Sequence, residues 1–175
     1  MYIRISEKIT LEPLSISDAE GLYPLIDSDR LNLGKYLSWV DSVIDIETTR
    51  EYLQSRINSG LNGASWYKIM FLGSAVGVFG VKTICEDQVT AEVGYWLHSN
   101  YYGNGIITQT ISGIAQQLKS QSTIRNIEIR CLSENQASIA VALRVGGVHT
   151  GTIPDYNTID SSPQDLNIYT VQLQT

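Results

Sequence analysis

A chain of 175 residues, 43% hydrophobic and 17% charged, holds enough apolar material for one compact core and too little charge for a disordered segment. Its net charge of −6 excludes a broad nucleic-acid surface, which needs cations to displace counterions, and favours a cationic partner. No apolar run approaches the ~20 residues of a membrane span, and Met1-Tyr2-Ile3-Arg4 lacks the basic-then-apolar layout of a signal peptide, so a single cytoplasmic domain over residues 1–175 is expected.

The first strand is predicted within residues 2 to 13, clearest over Lys8–Pro13. Ser17-Asp18-Ala19-Glu20 has the form of a capping box, opening a helix that buries Leu22, Leu25 and Ile26. After a loop from Gly34 to Asp41, Asp45 can cap a second helix presenting Thr49, Tyr52, Leu53 and Ile57, closed by Gly60 to Gly63. Ser65–Phe71 and Ala75–Val81 read as a hairpin turning at Gly73-Ser74, and Val89 to Leu97 continues as the next strand. Tyr102 to Thr108 then lead into a helix whose Ile107, Ile111, Ile114 and Leu118 share one face. Arg125–Cys131 is a strand, Ser133–Ser138 opens another helix that stops at Gly146-Gly147, and a turn near Asp160–Pro163 precedes the last strand. Strand–helix–strand over Val89–Cys131 makes the fourth and fifth strands parallel. The order implies a mixed α/β (α+β) sheet of about seven strands with helices on both faces.

Two positions carry chemistry on residue type alone. Gly103 and Gly105 open a helix directly after a strand, so free N–H groups and the positive helix end converge where an anion, most often phosphate, would sit. An ordinary tight turn is the alternative. Cys85, Cys131 and the two histidines fit no metal-ligand spacing, and Cys131 shares a strand face with Ile127 and Ile129, as a buried thiol would. No metal is expected.

The segments "AEVGYWL", "YYGNGIITQT", "IEIRCLSENQASIAVA" and "LNIYTVQL", spread over residues 89 to 173, resemble the GCN5-related N-acetyltransferases (GNAT superfamily). Within that superfamily they are similar to the branch that acetylates N-terminal amines of ribosomal proteins (RimL/RimJ type). "ITLEPLSISDAEGLY" and "LGKYLSWVD" extend the likeness more loosely into the N-terminal half. The resemblance implies a GNAT-like sheet whose fourth and fifth strands splay apart, with the pantetheine arm of acetyl-CoA in the opening. Pantetheine amides would then satisfy the backbone groups the splay leaves bare.

By the same resemblance, the acetyl-CoA contacts are Trp96, Leu97, His98, Tyr102, Gly103, Asn104, Gly105, Ile106, Ile107, Thr108, Asn135 and Ser138. A backbone N–H near Trp96 or Leu97 would stabilise the oxyanion, while His98 reads as a rim or packing residue rather than a catalyst. Asn135 would bond pantetheine and Ser138 protonate the departing thiolate; the alternative is simple helix capping by Ser133 or Asn135, with Ser138 a small packing residue. Asp155 matches the position of an acidic base, with Glu92 and Glu128 as competitors. Leu37 and Trp39 fall in the loop that lines the acceptor site. Homodimers or larger homo-oligomers are common among such relatives.

Three departures stand out: Tyr102 where Gln or Arg is usual, Ile107 where a small residue is usual, and Gly146-Gly147-Val148 where Gly-Phe is usual. No Lys or Arg lies between Gln88 and Leu118, leaving Lys82, Arg125 or Arg144 as candidates to reach the nucleotide phosphates. The chemistry implied is direct attack of an amine on the thioester. The acceptor expected is a protein N-terminal α-amine, since at pH 7 about a tenth of such amines are neutral against about one lysine in a few thousand. A small amine (polyamine, amino acid or antibiotic), a catalytically weak acyl-CoA-binding module and an interaction domain that kept only the fold are the alternatives.

Overall fold

The computed structural model describes residues 2–59 and 63–173. The expected order holds, with eight strands instead of about seven. Polar Ser6-Glu7-Lys8 breaks the first predicted strand into β1 (Ile3–Arg4) and β2 (Ile9–Pro13), which pair antiparallel. The remaining strands are β3 (Ser65–Phe71), β4 (Ser74–Cys85), β5 (Thr90–Leu97), β6 (Asn126–Leu132), β7 (Val148–Ile159) and β8 (Ser162–Gln172). They form one sheet in the order β1-β2-β3-β4-β5-β6-β8-β7, antiparallel except for β5 and β6. The helices are α1 (Ala19–Ser28), α2 (Arg30–Gly34), α3 (Ile46–Ile57), α4 (Ile106–Gln121) and α5 (Gln136–Arg144).

Two hydrophobic clusters place the helices on opposite faces of the sheet. Ile106, Ile111 and Ile114 of α4 pack with Phe79, Val93, Leu97, Ile127 and Ile129. Leu22 and Ile26 of α1 and Leu53 of α3 pack with Val78 and Trp96 on the other side. Successive strand residues point to opposite faces, so Trp96 and Leu97 serve different layers.

Local signals behaved unevenly. Asp45 caps α3, its carboxylate accepting from the Thr48 N–H at 2.7 Å while the Thr48 hydroxyl accepts from the Asp45 N–H at 3.0 Å. The predicted box at Ser17–Glu20 instead forms two residues earlier, where the Asp18 carboxylate accepts from the Ser15 N–H at 2.9 Å. Asp18 also bonds Lys68 at 2.6 Å, so an ion pair to the sheet fixes which acid caps the turn. Ile57 is exposed rather than core, and Gly60, expected to help close α3, lies outside the described residues. The β3–β4 hairpin turns at Leu72-Gly73, both at positive φ, one residue before the expected position. The final hairpin turns in the same way at Asp160-Ser161.

Candidate functional site

The β5–β6 ladder runs only from Thr90/Asn126 to Val93/Ile129. Beyond it Gly94–Leu97 stays paired to β4 and Arg130–Leu132 to β8, so the two parallel strands part toward their C-terminal ends. Main-chain groups along both inner edges are left without a sheet partner. A cleft of about 340 Å³ passes through this parting, and Tyr95, Cys131, Asn135 and Ser138 line it together with Leu37, Trp39 and Trp96.

The predicted anion loop stands at the carboxyl end of β5. Gly103 and Gly105 adopt φ of +79° and +68°, and Gly105 is the N-cap of α4. A Cβ at Gly103 would meet nothing within 4 Å, so the main chain there faces open space. Among the described residues, the backbone N–H groups of Gly103, Asn104, Gly105, Ile106, Ile107 and Thr108 donate to no acceptor. The Asn104 side chain bonds the carbonyls of Tyr101 and Tyr102, bracing the turn from within. The Ile106 and Ile107 side chains are core residues, so these two residues can offer only their N–H groups.

This loop rests on a buried carboxylate that sequence reasoning missed. Asp29, 4% exposed at the α1–α2 junction, accepts from the Ser99 N–H and the Ser99 hydroxyl, both at 2.7 Å, and from Asn32 at 2.6 Å. Burial pushes its carboxyl up, but these hydrogen bonds outweigh burial and hold it below the ordinary value. His98 is buried beside it. One ring nitrogen lies 3.2 Å from the Ser28 hydroxyl and the other accepts the Asn100 N–H at 3.1 Å, so His98 braces the loop. Tyr102 is half exposed on the outside of the turn. Of the three cations considered for the phosphates, Arg125 bonds the carbonyls of Ser122 and Ile124 past the far end of α4, and Lys82 is ion-paired in the cleft. Arg144 is exposed in the last turn of α5. Any anion held by this loop is therefore held by N–H groups and the helix end.

Asn135 and Ser138 both line the cleft. Asn135 caps α5, its carbonyl oxygen accepting the Ser138 N–H at 3.2 Å, which leaves its amide NH2 for another acceptor. Gln164, 1% exposed, accepts from the Ser133 hydroxyl and the Glu134 N–H and fixes this turn against β8. Tyr95, missed because it sat in an apparently ordinary strand, contributes a buried hydroxyl with no hydrogen bond of good geometry. Burial pushes its phenol up, against a smaller pull from the nearby Ser138 hydroxyl, so it stays protonated and keeps its O–H as a donor. Cys131 is 2% exposed and burial pushes its thiol up to about 12, as expected of an inert sulfur.

On the opposite sheet face the cleft is built from side chains. Trp66, Gly80 and Gly94 form a row across β3, β4 and β5. A Cβ at Gly80 would stand 2.4 Å from the Trp66 ring, so glycine lets that indole lie flat on the sheet. Lys82 is the extra residue of a β-bulge between the pairs Val81/Val93 and Thr83/Glu92. Its ammonium bonds Glu92, which is 12% exposed and also faces Arg130 at 3.6 Å. Trp39 stacks on Tyr52 at 4.1 Å, and the Tyr52 hydroxyl accepts from Trp96 at 3.3 Å. The Tyr36 hydroxyl donates to the Glu134 carbonyl, tying the loop that carries Leu37 and Trp39 to the start of α5.

The three candidate bases separate. Glu92 is in the cleft wall; Glu128 pairs with Arg130 at 2.9 Å; Asp155 lies outside the lining, exposed at a β7 bulge with φ of +51°, its N–H bonded to Asp165. Tyr156 and Asn157 reach the cleft from that bulge instead. Among the described residues no cluster of His, Cys, Asp or Glu could hold a metal ion.

Comparison with known proteins gives a consistent picture. The profile of the acetyltransferase (GNAT) domain family matches residues 8–148. A ribosomal-protein-serine acetyltransferase of Escherichia coli (strain K12) is 29% identical over 168 residues, covering 95% of this chain and 94% of its own. Two solved structures superpose with a TM-score of 0.89. One is the microcin C7 self-immunity acetyltransferase MccE in complex with acetyl-CoA and AMP, 29% identical, covering 97% of this chain and 95% of its own. The other is the RimL ribosomal L7/L12 alpha-N-protein acetyltransferase in complex with coenzyme A, 27% identical, covering 98% of each chain.

Proposed function

Because this chain belongs to the GNAT acetyltransferase family, we propose that it moves the acetyl group of acetyl-CoA to the α-amine at the N-terminus of a protein. It is an acetyl-CoA-dependent N-acetyltransferase; the protein N-terminus is the finer reading. The observation that supports acetyl-CoA as donor most is the parting of β5 from β6 directly beside the unpaired N–H groups of Gly103–Thr108, and likeness to a ribosomal-protein-serine acetyltransferase supports the N-terminal acceptor.

The residues present fit acetyl-CoA. The N–H groups of Gly103–Thr108 would hold its diphosphate without a basic side chain, and the Asn135 amide with the bare strand edges would hold the pantetheine amides. Bound there, acetyl-CoA supplies the activated acetyl group. The His98 N–H donates to the Val76 carbonyl of β4, so by strand alternation the Leu97 N–H faces the parting, and it would stabilise negative charge on the carbonyl oxygen. Ser138 would return a proton to the sulfur, and Tyr95, with its unused donor, would hydrogen-bond at the same place. An α-amine with a pKa of about 8 needs no strong base. Glu92, the carboxylate within the cleft, suits orienting the acceptor ammonium and passing its proton to water, whereas Asp155 could serve as base only if the β7 bulge turned inward.

A second reading keeps the chemistry and changes the acceptor to a small amine. It is supported by likeness to the microcin immunity enzyme equal to that to the ribosomal-protein enzyme. Acetyl-CoA consumption measured with a panel of N-terminal peptides and a panel of polyamines, amino acids and aminoacyl nucleotides separates the two. Peptide turnover at least tenfold above every small amine is the expected result; the reverse ratio overturns the protein-acceptor reading.

A further inference from the structure

Five basic side chains are half-buried: Arg30, Arg50, Arg56, Lys68 and Lys82. Four of them form ion pairs, with Asp27, Glu20 and Glu47, Asp18 and Glu12, and Glu92. Among the described residues Arg56 pairs with no carboxylate. It lines the cleft on its tryptophan side, where its guanidinium lies 5.0 Å from the centre of the Tyr52 ring and 5.4 Å from that of Trp66. Stacking between two rings orients a guanidinium without using its edge donors, one of which lies close enough to the Tyr52 hydroxyl to bond it. Arg56 Nε and the neighbouring Trp66 Nε1 are both buried without a hydrogen-bond partner. Two unmet donors side by side, one of them charged, are costly unless a ligand meets them. The Trp66 indole is there only because Gly80 gives it room, so the wall is shaped for this arrangement.

We infer that Arg56 anchors a carboxylate carried by the acceptor itself. The reacting amine lies at the Tyr95–Ser138 end of the cleft, and the acid reaches the Trp66–Arg56 end. An acidic side chain close behind the N-terminus of a peptide has this reach, whereas the α-carboxylate of a free amino acid sits on the carbon that bears its own amine and cannot span the two ends. A polyamine offers no such group and would place a second cation against Arg56. The inference rests on the acetyltransferase reading above and adds the class of acceptor.

The test compares kcat/KM for peptides matched except for Glu or Gln at the second and third positions. A charge-assisted, two-pronged contact predicts that the wild-type protein favours the acid of a pair by about tenfold to a hundredfold. In Arg56→Gln the ratio falls to near one, and Arg56→Lys keeps part of it. A wild-type ratio near one overturns the inference whether or not the variants fold, as does a ratio unchanged in Arg56→Gln. Acetyl-CoA binding with no transfer to any amine removes the acetyltransferase reading and this inference with it; transfer at equal rates to acid and amide removes this inference alone.

Discussion

The two ends of the cleft are built by different means. At the carboxyl end of β5 the Gly103–Thr108 loop offers main-chain N–H groups, with both glycines at positive φ and no Lys or Arg in the chain from Gln88 to Leu118. On the opposite sheet face the wall is made of Trp66, Arg56, Tyr52, Trp39, Lys82 and Glu92, drawn from β3, α3, the Ser38–Ser42 turn, β4 and β5. The first end can recognise what every acyl-CoA shares, because a backbone cradle reads phosphate regardless of what the thioester carries. The second can recognise what one acceptor has and another lacks. Conserved chemistry at one end and selectivity at the other is what an enzyme with a fixed donor and a particular acceptor needs.

Substitutions should separate the two ends. The largest effect is expected from Val at both Gly103 and Gly105, where left-handed strain of about 1–2 kcal/mol per residue would force the loop to rearrange. Acetyl-CoA affinity by calorimetry should fall by about a hundredfold, and unaltered affinity would mean that the loop does not grip the diphosphate. Next comes Tyr95→Phe. Loss of the donor should lower kcat by about tenfold to a hundredfold while coenzyme A affinity stays within about twofold. Because that hydroxyl is buried without a partner, the same change should raise the melting temperature. A lower melting temperature with unchanged kcat would make Tyr95 a packing residue.

The smallest effect concerns the support beneath the loop. Asp29→Asn should lose about 1–3 kcal/mol at neutral pH, from weaker bonds to Ser99. A carboxylate whose folded value is depressed stabilises above its ordinary value of 3.8, and that contribution is lost as pH falls through the lower folded value. The stability gap between wild type and Asp29→Asn should therefore be full at pH 7 and shrink as pH falls below 3.8. A gap that is constant across this range would show that the carboxylate's charge is irrelevant there.

The same contrast explains what the sequence revealed. The cradle was legible because its parts are consecutive: a strand, two glycines and a helix with apolar residues on one face. Asn135 and Ser138 were singled out by the family resemblance, and their three-residue spacing at one helix start brings both to the cleft. The strand parting came through family resemblance, since no residue type announces a missing ladder. The opposite wall was not legible. Trp66 stands in a predicted strand and Arg56 in a predicted helix with nothing local to mark either, and only the register that places Gly80 beside Trp66 makes room for the wall. Asp29 was invisible in the same way, because its partner Ser99 is seventy residues distant. Asp155 is the reverse case: resemblance aligns it with an acidic base, while the β7 bulge holds its main chain against Asp165 and sends Tyr156 and Asn157 to the cleft.

Amide hydrogen exchange with and without saturating acetyl-CoA tests the central claim most directly. The account predicts slowed exchange concentrated at Gly103–Thr108 and along the inner edges of β5 and β6 beyond Val93 and Ile129, with little change around Trp66 and Arg56. Binding that leaves the Gly103–Thr108 amides as fast as in the free protein, with protection elsewhere, would contradict it.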